Sequence, residues 1–124
     1  MKLTLIAAAC PRWGIGYEGH LPWHHEADLR HFRKRTMGKH LLVGRKTRET
    51  LPALAGRHVH TLSSRNGDFG SIESAIETFR EKGVDELLIA GGAKLYESAL
   101  PLCHRAEISR ILGIYDCDTY MPNL

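Results

Sequence analysis

The segment Glu86-Leu87-Leu88-Ile89-Ala90-Gly91-Gly92-Ala93 decides the fold class. Residues 86–90 are a short, nearly continuous apolar run, the pattern of a strand covered on both faces. Two glycines interrupt the run and open a helix over about residues 93–99, which Pro101 stops. A buried strand that passes through glycine into a helix is the repeating unit of a parallel α/β sheet. The same arrangement recurs upstream. Leu41-Leu42-Val43 is a second buried strand, followed by Gly44-Arg45-Lys46-Thr47 and a helical turn to about Leu51. Residues 2–9 are a nearly continuous apolar run. With Cys10 they imitate a lipoprotein signal, but the apolar stretch is too short and carries a single Lys, so a buried strand is expected. Residues 57–62 alternate as a strand and end in Ser63-Ser64-Arg65. Ser71 can cap a helix running to about Lys82, with Glu73 in its first turn and Gly83 just beyond its end. A last strand is expected over residues 105–112. Strands alternate with helices without repeat or linker, so residues 1–124 are read as a single α/β domain with a central, mostly parallel sheet.

Composition narrows the function. The chain has 124 residues, 43% hydrophobic and 25% charged, an ordinary globular balance. Its formal charge is +3, which an anionic small ligand explains as well as nucleic acid does; no Lys/Arg run is clustered or interleaved with aromatics, and no nucleic-acid partner is expected. No segment is long enough to suggest a membrane span. The three cysteines, at 10, 103 and 117, are odd in number and lack metal-knuckle spacing, which points to a reducing, cytoplasmic setting and away from a disulfide framework. His58 and His60 share a strand face and His24 and His25 are adjacent, but without a further ordered ligand they make weak metal candidates, and no metal is expected.

In parallel α/β folds ligands gather at the carboxyl ends of strands. Here Gly44 and Gly91-Gly92 stand at strand ends that carry helix N-termini, with Arg45, Lys46, Arg65 and Lys94 nearby. Such cradles suit a polyanionic cofactor, while close helix–strand packing is the plainer explanation for the glycines. Gly14-x-Gly16-x-x-Gly19 matches the dinucleotide fingerprint formally, but Leu21-Pro22 continues the loop where that motif needs a helix, so residues 11–23 are read as a flexible loop. A helix follows over about residues 25–35. Asp28, Leu29 and Phe32 fall on one face of it. A carboxylate inside an apolar stripe costs several kcal/mol unless it is hydrogen-bonded; the alternative is an Asp at the edge of the stripe, facing water.

Taken in order, these pieces resemble dihydrofolate reductase over nearly the whole chain. They are Leu5-Ile6-Ala7-Ala8, Ile15-Gly16, Leu21-Pro22-Trp23, Asp28-Leu29 with Phe32, Thr36 with Gly38-Lys39, and Gly44-Arg45-Lys46-Thr47. Gly56-Arg57, Leu62-Ser63-Ser64-Arg65, Gly91-Gly92 with Tyr96, and Asp118-Thr119 with Pro122 complete the set. The resemblance implies a three-layer fold and NADPH-dependent reduction of 7,8-dihydrofolate, by hydride transfer to C6 and protonation at N5. It implies that Asp28 pairs with the pterin, that Leu21 and Ser109 complete the catalytic group, and that Ser109 supports Asp28. It further implies that Ile6, Ala7, Ala8, Leu29, Phe32, Leu51 and Leu54 wall the folate site and that Arg57 grips the α-carboxylate of its tail. The cofactor would lie against Ala8, Ile15, Gly16, Gly44, Thr47, Leu62, Ser63, Ala90, Ala93, Lys94, Leu95 and Tyr96. Arg45, Lys46, Ser64 and Arg65 would hold its 2′-phosphate, and Gly91 and Gly92 would pass its pyrophosphate. The loop from Gly14 to Leu21 would close over the nicotinamide, tied through Asp118. Dihydrofolate and antifolate inhibitors are the implied partners.

The sequence departs from the family pattern in three places. Arg48 stands where a Trp is usual. Residues 65–70 are short, so an edge strand on the adenosine side is expected to be reduced or absent. The chain stops at Leu124, where family members continue into two further antiparallel strands, so the 105–112 strand is expected to be an open apolar edge that pairs with a second copy. Two other readings stand beside the resemblance: a related reductase of another heterocycle, of the riboflavin-pathway type, and a non-enzymatic pterin- or nucleotide-binding module. The Leu21-Pro22-Trp23 element with Asp28 favours the folate enzyme over the riboflavin type.

Overall fold

The computed structural model describes residues 1–19, 21–51, 54–65 and 67–122. Five strands form one sheet: β1 (Lys2–Ala9), β3 (His40–Gly44), β4 (His58–Leu62), β5 (Glu86–Ile89) and β6 (Arg105–Arg110). Their order is β4-β3-β5-β1-β6 and every pairing is parallel. β1 thus lies inside the sheet, and Leu3, Leu5, Ile6 and Ala9 are buried. Side chains alternate across it. Leu3, Leu5 and Ala9 join Leu42, Leu87, Ile89 and Phe79 in the larger core, whereas Ile6 packs with Leu41 and Leu88 on the other face.

The helices cover both faces, completing three layers. α1 (Glu26–Thr36) lies over the Ile6 face, where Phe32 packs on that smaller cluster. α3 (Ile72–Glu81) and α4 (Ala93–Ala99) bury Ile72, Ala75, Phe79, Leu95, Tyr96 and Ala99 in the larger one. α2 (Arg45–Thr50) follows β3 directly. Local signals explain the boundaries. Ser71 accepts a hydrogen bond from the Ser74 amide at 3.2 Å at the start of α3, and Gly83 adopts φ +74° beyond its end.

Three features differ from the sequence reading. The loop over residues 11–23 holds a short strand, β2 (Gly14–Gly16), paired antiparallel with β7 (Thr119–Tyr120). The strand expected over 105–112 ends at Arg110 and is not the last, although the Ile111 amide still bonds the Ala9 carbonyl at 2.8 Å. Leu29 turns outward, 46% exposed, while Phe32 stays on the sheet. In the short 65–70 region, a lone bridge from Leu62 to Phe69 is the only strand-like contact among the described residues. No helix among the described residues is long and apolar enough to cross a membrane.

Arg35, near the end of α1, clamps that helix to the sheet. Its guanidinium donates to Glu107 on β6 (2.6–3.1 Å) and to Glu86 on β5 (3.0 Å), and Thr4 on β1 also donates to Glu86, at 2.8 Å. Arg35 draws the Glu86 carboxyl down to about 2 and lowers that of Glu107 as well.

On the α3 side of the sheet edge, three histidines meet. His40 stacks on His58 with ring centroids 4.6 Å apart, and its Nδ1 lies 3.1 Å from His60 Nε2, so one ring N–H donates to the other ring. Phe79 packs against both His40 and His60. Burial lowers the pKa of both; His58 and Lys82 push each further down, His60 adds to this at His40, and Asp68 opposes it at His60. The folded state therefore binds fewer protons than the unfolded chain. The stability these neutral rings give is present above the ordinary histidine value of about 6.5 and is lost as pH falls below it. The Arg35 carboxylates keep their charge through that window, while Asp28, whose pKa is raised, offsets part of the loss. Thermal unfolding should show a Tm lower at pH 5.5 than at pH 7.5 by on the order of 5 °C, and His60→Leu should flatten the difference.

Candidate active site

α1 starts where the Pro22 ring forbids helix and His25 takes over the first turn, its Nδ1 accepting from the Asp28 amide at 3.2 Å. That cap faces the Asp28 carboxylate toward a cleft of about 50 Å³ lined by Leu21, Trp23, His24, His25, Asp28 and Leu29. Asp28 is half-buried. Burial raises its pKa, and the His25 and His31 rings and a hydrogen bond from the Ser109 hydroxyl moderate the rise. Ser109 comes from β6, opposite Ala8 of β1 in the register. Ser109 therefore stands near the Asp28 carboxylate, and Leu21 lines the same cleft.

Phe32, one turn further along α1, joins an apolar cluster on the sheet. Ile6 is buried against Phe32 and Leu54, with Ala90 beside them. Leu51 caps the end of α2 and is half-buried. Arg57 lies half-buried at the end of α1, donating from Nε to the Ala55 carbonyl at 3.2 Å and from a terminal nitrogen to Thr36 Oγ1 at 3.4 Å. Thr36 in turn donates to the Phe32 carbonyl at 2.7 Å. One group the sequence did not reveal is the Trp23 indole. It is buried against Cys10 and Ile111, and its Nε1–H is the one buried side-chain polar atom without a partner among the described residues. A donor aimed at nothing beside a carboxylate is where a ligand or an ordered water would be satisfied.

The second half of the site lies at the carboxyl ends of β3 and β5. The Gly44 amide donates to the Gly91 carbonyl at 2.8 Å, tying the two strand ends together. Gly91 takes φ +120°, a conformation that L side chains rarely adopt, and is joined to Gly92 by a cis peptide. A Cβ on Gly92 would stand 3.0 Å from Thr47 Oγ1, so glycine keeps this surface open. Neither α2 nor α4 has a side-chain cap, and their first-turn amides stay available. Arg45 and Lys46 are exposed at the start of α2, with Arg45 ion-paired to Glu49 at 3.7 Å; Ser64 and Arg65 are exposed after β4, and Lys94 on α4. These observations match the donor set a polyanionic dinucleotide needs. Leu95, by contrast, turns into the core, so any cofactor contact there would come from its backbone. Ile15 and Leu62 likewise pack against the core, and Ala93 and Ser63 are half-buried at the rim.

Ile6 joins the halves. Its side chain belongs to the Phe32 wall, and its carbonyl accepts the Tyr96 hydroxyl at 2.8 Å. Tyr96 is buried, which pushes its pKa up and keeps the phenol neutral. The loop beside the cleft is tethered as expected. The Glu18 amide donates to Asp118 Oδ2 at 2.9 Å and the Asp118 amide to the Gly16 carbonyl at 2.9 Å. The Glu18 amide and the Thr119 hydroxyl hold the Asp118 carboxyl below its usual range. The expected loop also includes His20, which lies outside the described residues.

A cleft holding a half-buried carboxylate and a glycine cradle, on one parallel sheet, define a domain that can bring a small heterocycle against a dinucleotide. Comparison with known proteins makes this specific. The dihydrofolate reductase family profile matches residues 2–124. A dihydrofolate reductase of Neisseria meningitidis is 34% identical over 132 residues, covering 98% of this chain and 80% of that protein. The type 5 dihydrofolate reductase of Escherichia coli is 34% identical over 132 residues (100% and 83%), and the Drosophila melanogaster enzyme is 31% identical over 145 (98% and 80%). The chain belongs to the dihydrofolate reductase family.

Proposed function

We propose that this protein reduces 7,8-dihydrofolate to 5,6,7,8-tetrahydrofolate, with NADPH as the electron donor. The observation that carries the reading is Asp28: a half-buried carboxylate of raised pKa, with Ser109 near it, in a cleft it shares with Leu21, Trp23 and Leu29. The nicotinamide cofactor supplies the hydride for C6. Asp28 does the rest of the recognition: its two oxygens match the paired N–H groups of a pterin edge, and its charge favours the substrate protonated at N5. Phe32, Ile6 and Leu54 exclude water around the ring, and Leu21 closes the cleft from the loop side. Arg57, already oriented by Ala55 and Thr36, would meet the tail carboxylate with its planar fork.

The glycine surface at Gly91 and Gly92 would accept the pyrophosphate, and Arg45, Lys46, Ser64 and Arg65 the 2′-phosphate. Free thiols at Cys10, Cys103 and Cys117 support a reducing, cytoplasmic setting. β6 is the sheet's edge, with Leu112 and Ile114 exposed just beyond it, which supports pairing of two copies along it, observable by sedimentation at rising concentration.

Two substitutions test the assignment. Asp28→Asn keeps the shape and removes the charge; turnover at neutral pH should fall about 100-fold or more, roughly 2.7 kcal/mol in the barrier. Activity should return in part at acidic pH, where the substrate takes its proton from solvent; wild-type turnover at neutral pH would refute the role. Inhibition by a folate analogue is the control. Arg45→Ala should weaken NADPH binding about tenfold or more and leave NADH nearly unchanged, since a charge-assisted bond to phosphate contributes about 1.5–3 kcal/mol. Equal losses for both cofactors would remove the phosphate role.

A further inference from the structure

Cys10 and Cys117 are 107 residues apart in sequence, yet their Sγ atoms lie 3.9 Å apart. Cys10 follows β1 and Cys117 precedes β7, so the pair spans the seam between the central sheet and the β2/β7 ribbon. Gly14 of β2 packs directly on both. A Cβ there would collide with Cys117 Sγ and stand 3.1 Å from Cys10 Sγ, so glycine makes the room in which the thiols meet. Both cysteines line a surface cavity of about 350 Å³ together with Arg12 and Tyr17; Cys10 is buried behind it and Cys117 is partly exposed. The third thiol, Cys103, packs against the main core after α4 and pairs with neither.

We propose that Cys10 and Cys117 form a reversible dithiol–disulfide site that fastens the β2 loop to β7, with a low-molecular-weight disulfide as oxidant. A disulfide needs its sulfurs about 2.05 Å apart, so the pair must close by roughly 2 Å, within reach of side-chain rotation. The thiols are unequal. Burial disfavours the Cys10 thiolate, but the Arg12 and Gly14 amides and the Cys117 thiol outweigh it and hold its pKa below the usual thiol value. Burial raises Cys117, and Cys10, Asp116 and Asp118 add to the rise. Cys117 is the more exposed of the two and meets the small disulfide first. After giving its proton to solvent, its thiolate displaces one half of that disulfide as a thiolate that takes up a proton. Cys10, 3.9 Å away, then loses its proton and attacks the Cys117 sulfur, expelling the second half as a thiolate that takes up a proton. Two protein thiols are oxidised and one small disulfide is reduced to two thiols.

The link acts on the loop beside the Asp28 cleft. Three hydrogen bonds now join this loop to the β7 segment: the Asp118 amide to the Gly16 carbonyl, the Glu18 amide to the Asp118 carboxylate, and the Met121 amide to the Trp13 carbonyl. With residues 10 and 117 joined covalently, the segment between them can no longer part from β7 freely. The binding of this inference to catalysis rests on the reading of that cleft as the active site; the chemistry itself does not.

The test equilibrates the full chain in glutathione buffers of stepped oxidised-to-reduced ratio, traps free thiols by alkylation and maps the peptides by mass spectrometry. The expected result is an intrachain Cys10–Cys117 link, with Cys103 still alkylated. Hydrogen exchange at the Gly16 and Glu18 amides should slow by about tenfold in the linked form and recover on reduction. Both Cys117→Ser and Cys10→Ala should abolish the link and the slowing. Glutathione adducts without an intrachain link, a link between chains, or a link that leaves Glu18 exchange unchanged would each overturn the proposal. None of these readouts depends on turnover, so failure here and failure of the reductase reading are separable.

Discussion

Arg35 holds the molecule's chemistry in place without taking part in it. It lies two helical turns from Asp28 on α1 and binds carboxylates on β5 and β6, the two strands that flank β1. The helix is thereby fixed against the sheet at its far end, while the apolar contacts of Phe32 fix its middle. Breaking a partly buried pair of this kind leaves two carboxylates facing each other without their cation, a cost on the order of 3 kcal/mol. The clamp thereby keeps the helix that carries Asp28 and the strand that carries Ser109 in fixed relation, because Arg35 ties α1 to β6.

From that anchor the site divides along β1. One face of the strand offers Ile6 to the α1 wall, and the backbone at the same residue accepts the Tyr96 hydroxyl from α4. A shift in the register of β1 by one residue would exchange its two faces and separate the wall from the cradle. Burial between two parallel partners prevents such a shift, and so the substrate side and the cofactor side stay in fixed relation.

The sequence displayed most of the elements and little of what joins them. Residues 93–99 were legible because glycines and a proline bracket them, and α3 because Ser71 and Gly83 mark its ends. The β2/β7 ribbon was not, since a three-residue strand of Gly14-Ile15-Gly16 has no periodicity and its partner lies a hundred residues away. The same distance hid the approach of Cys10 to Cys117, and a crossover between β3 and β4 hid the third member of the histidine cluster, His40. Asp28 was legible as an anomaly, but Leu29 was placed inward on spacing alone, and its exposure follows from a helix that buries only a narrow stripe. Trp23 could have been found by asking what satisfies an indole N–H beside an apolar loop.

The all-parallel sheet also bears on how the chain is made. One of its interior strands occupies residues 2–9, but the neighbours that cover its two edges lie at 86–89 and 105–110. A ribosome adds about 5–20 residues per second, so the apolar N-terminal segment waits several seconds before either neighbour exists. Through that interval it has two unpaired edges and no core to enter. Long sequence separation also slows the search once synthesis is complete. Newly made chains should therefore depend on chaperones that shelter extended apolar segments more than the small size of the folded domain would suggest.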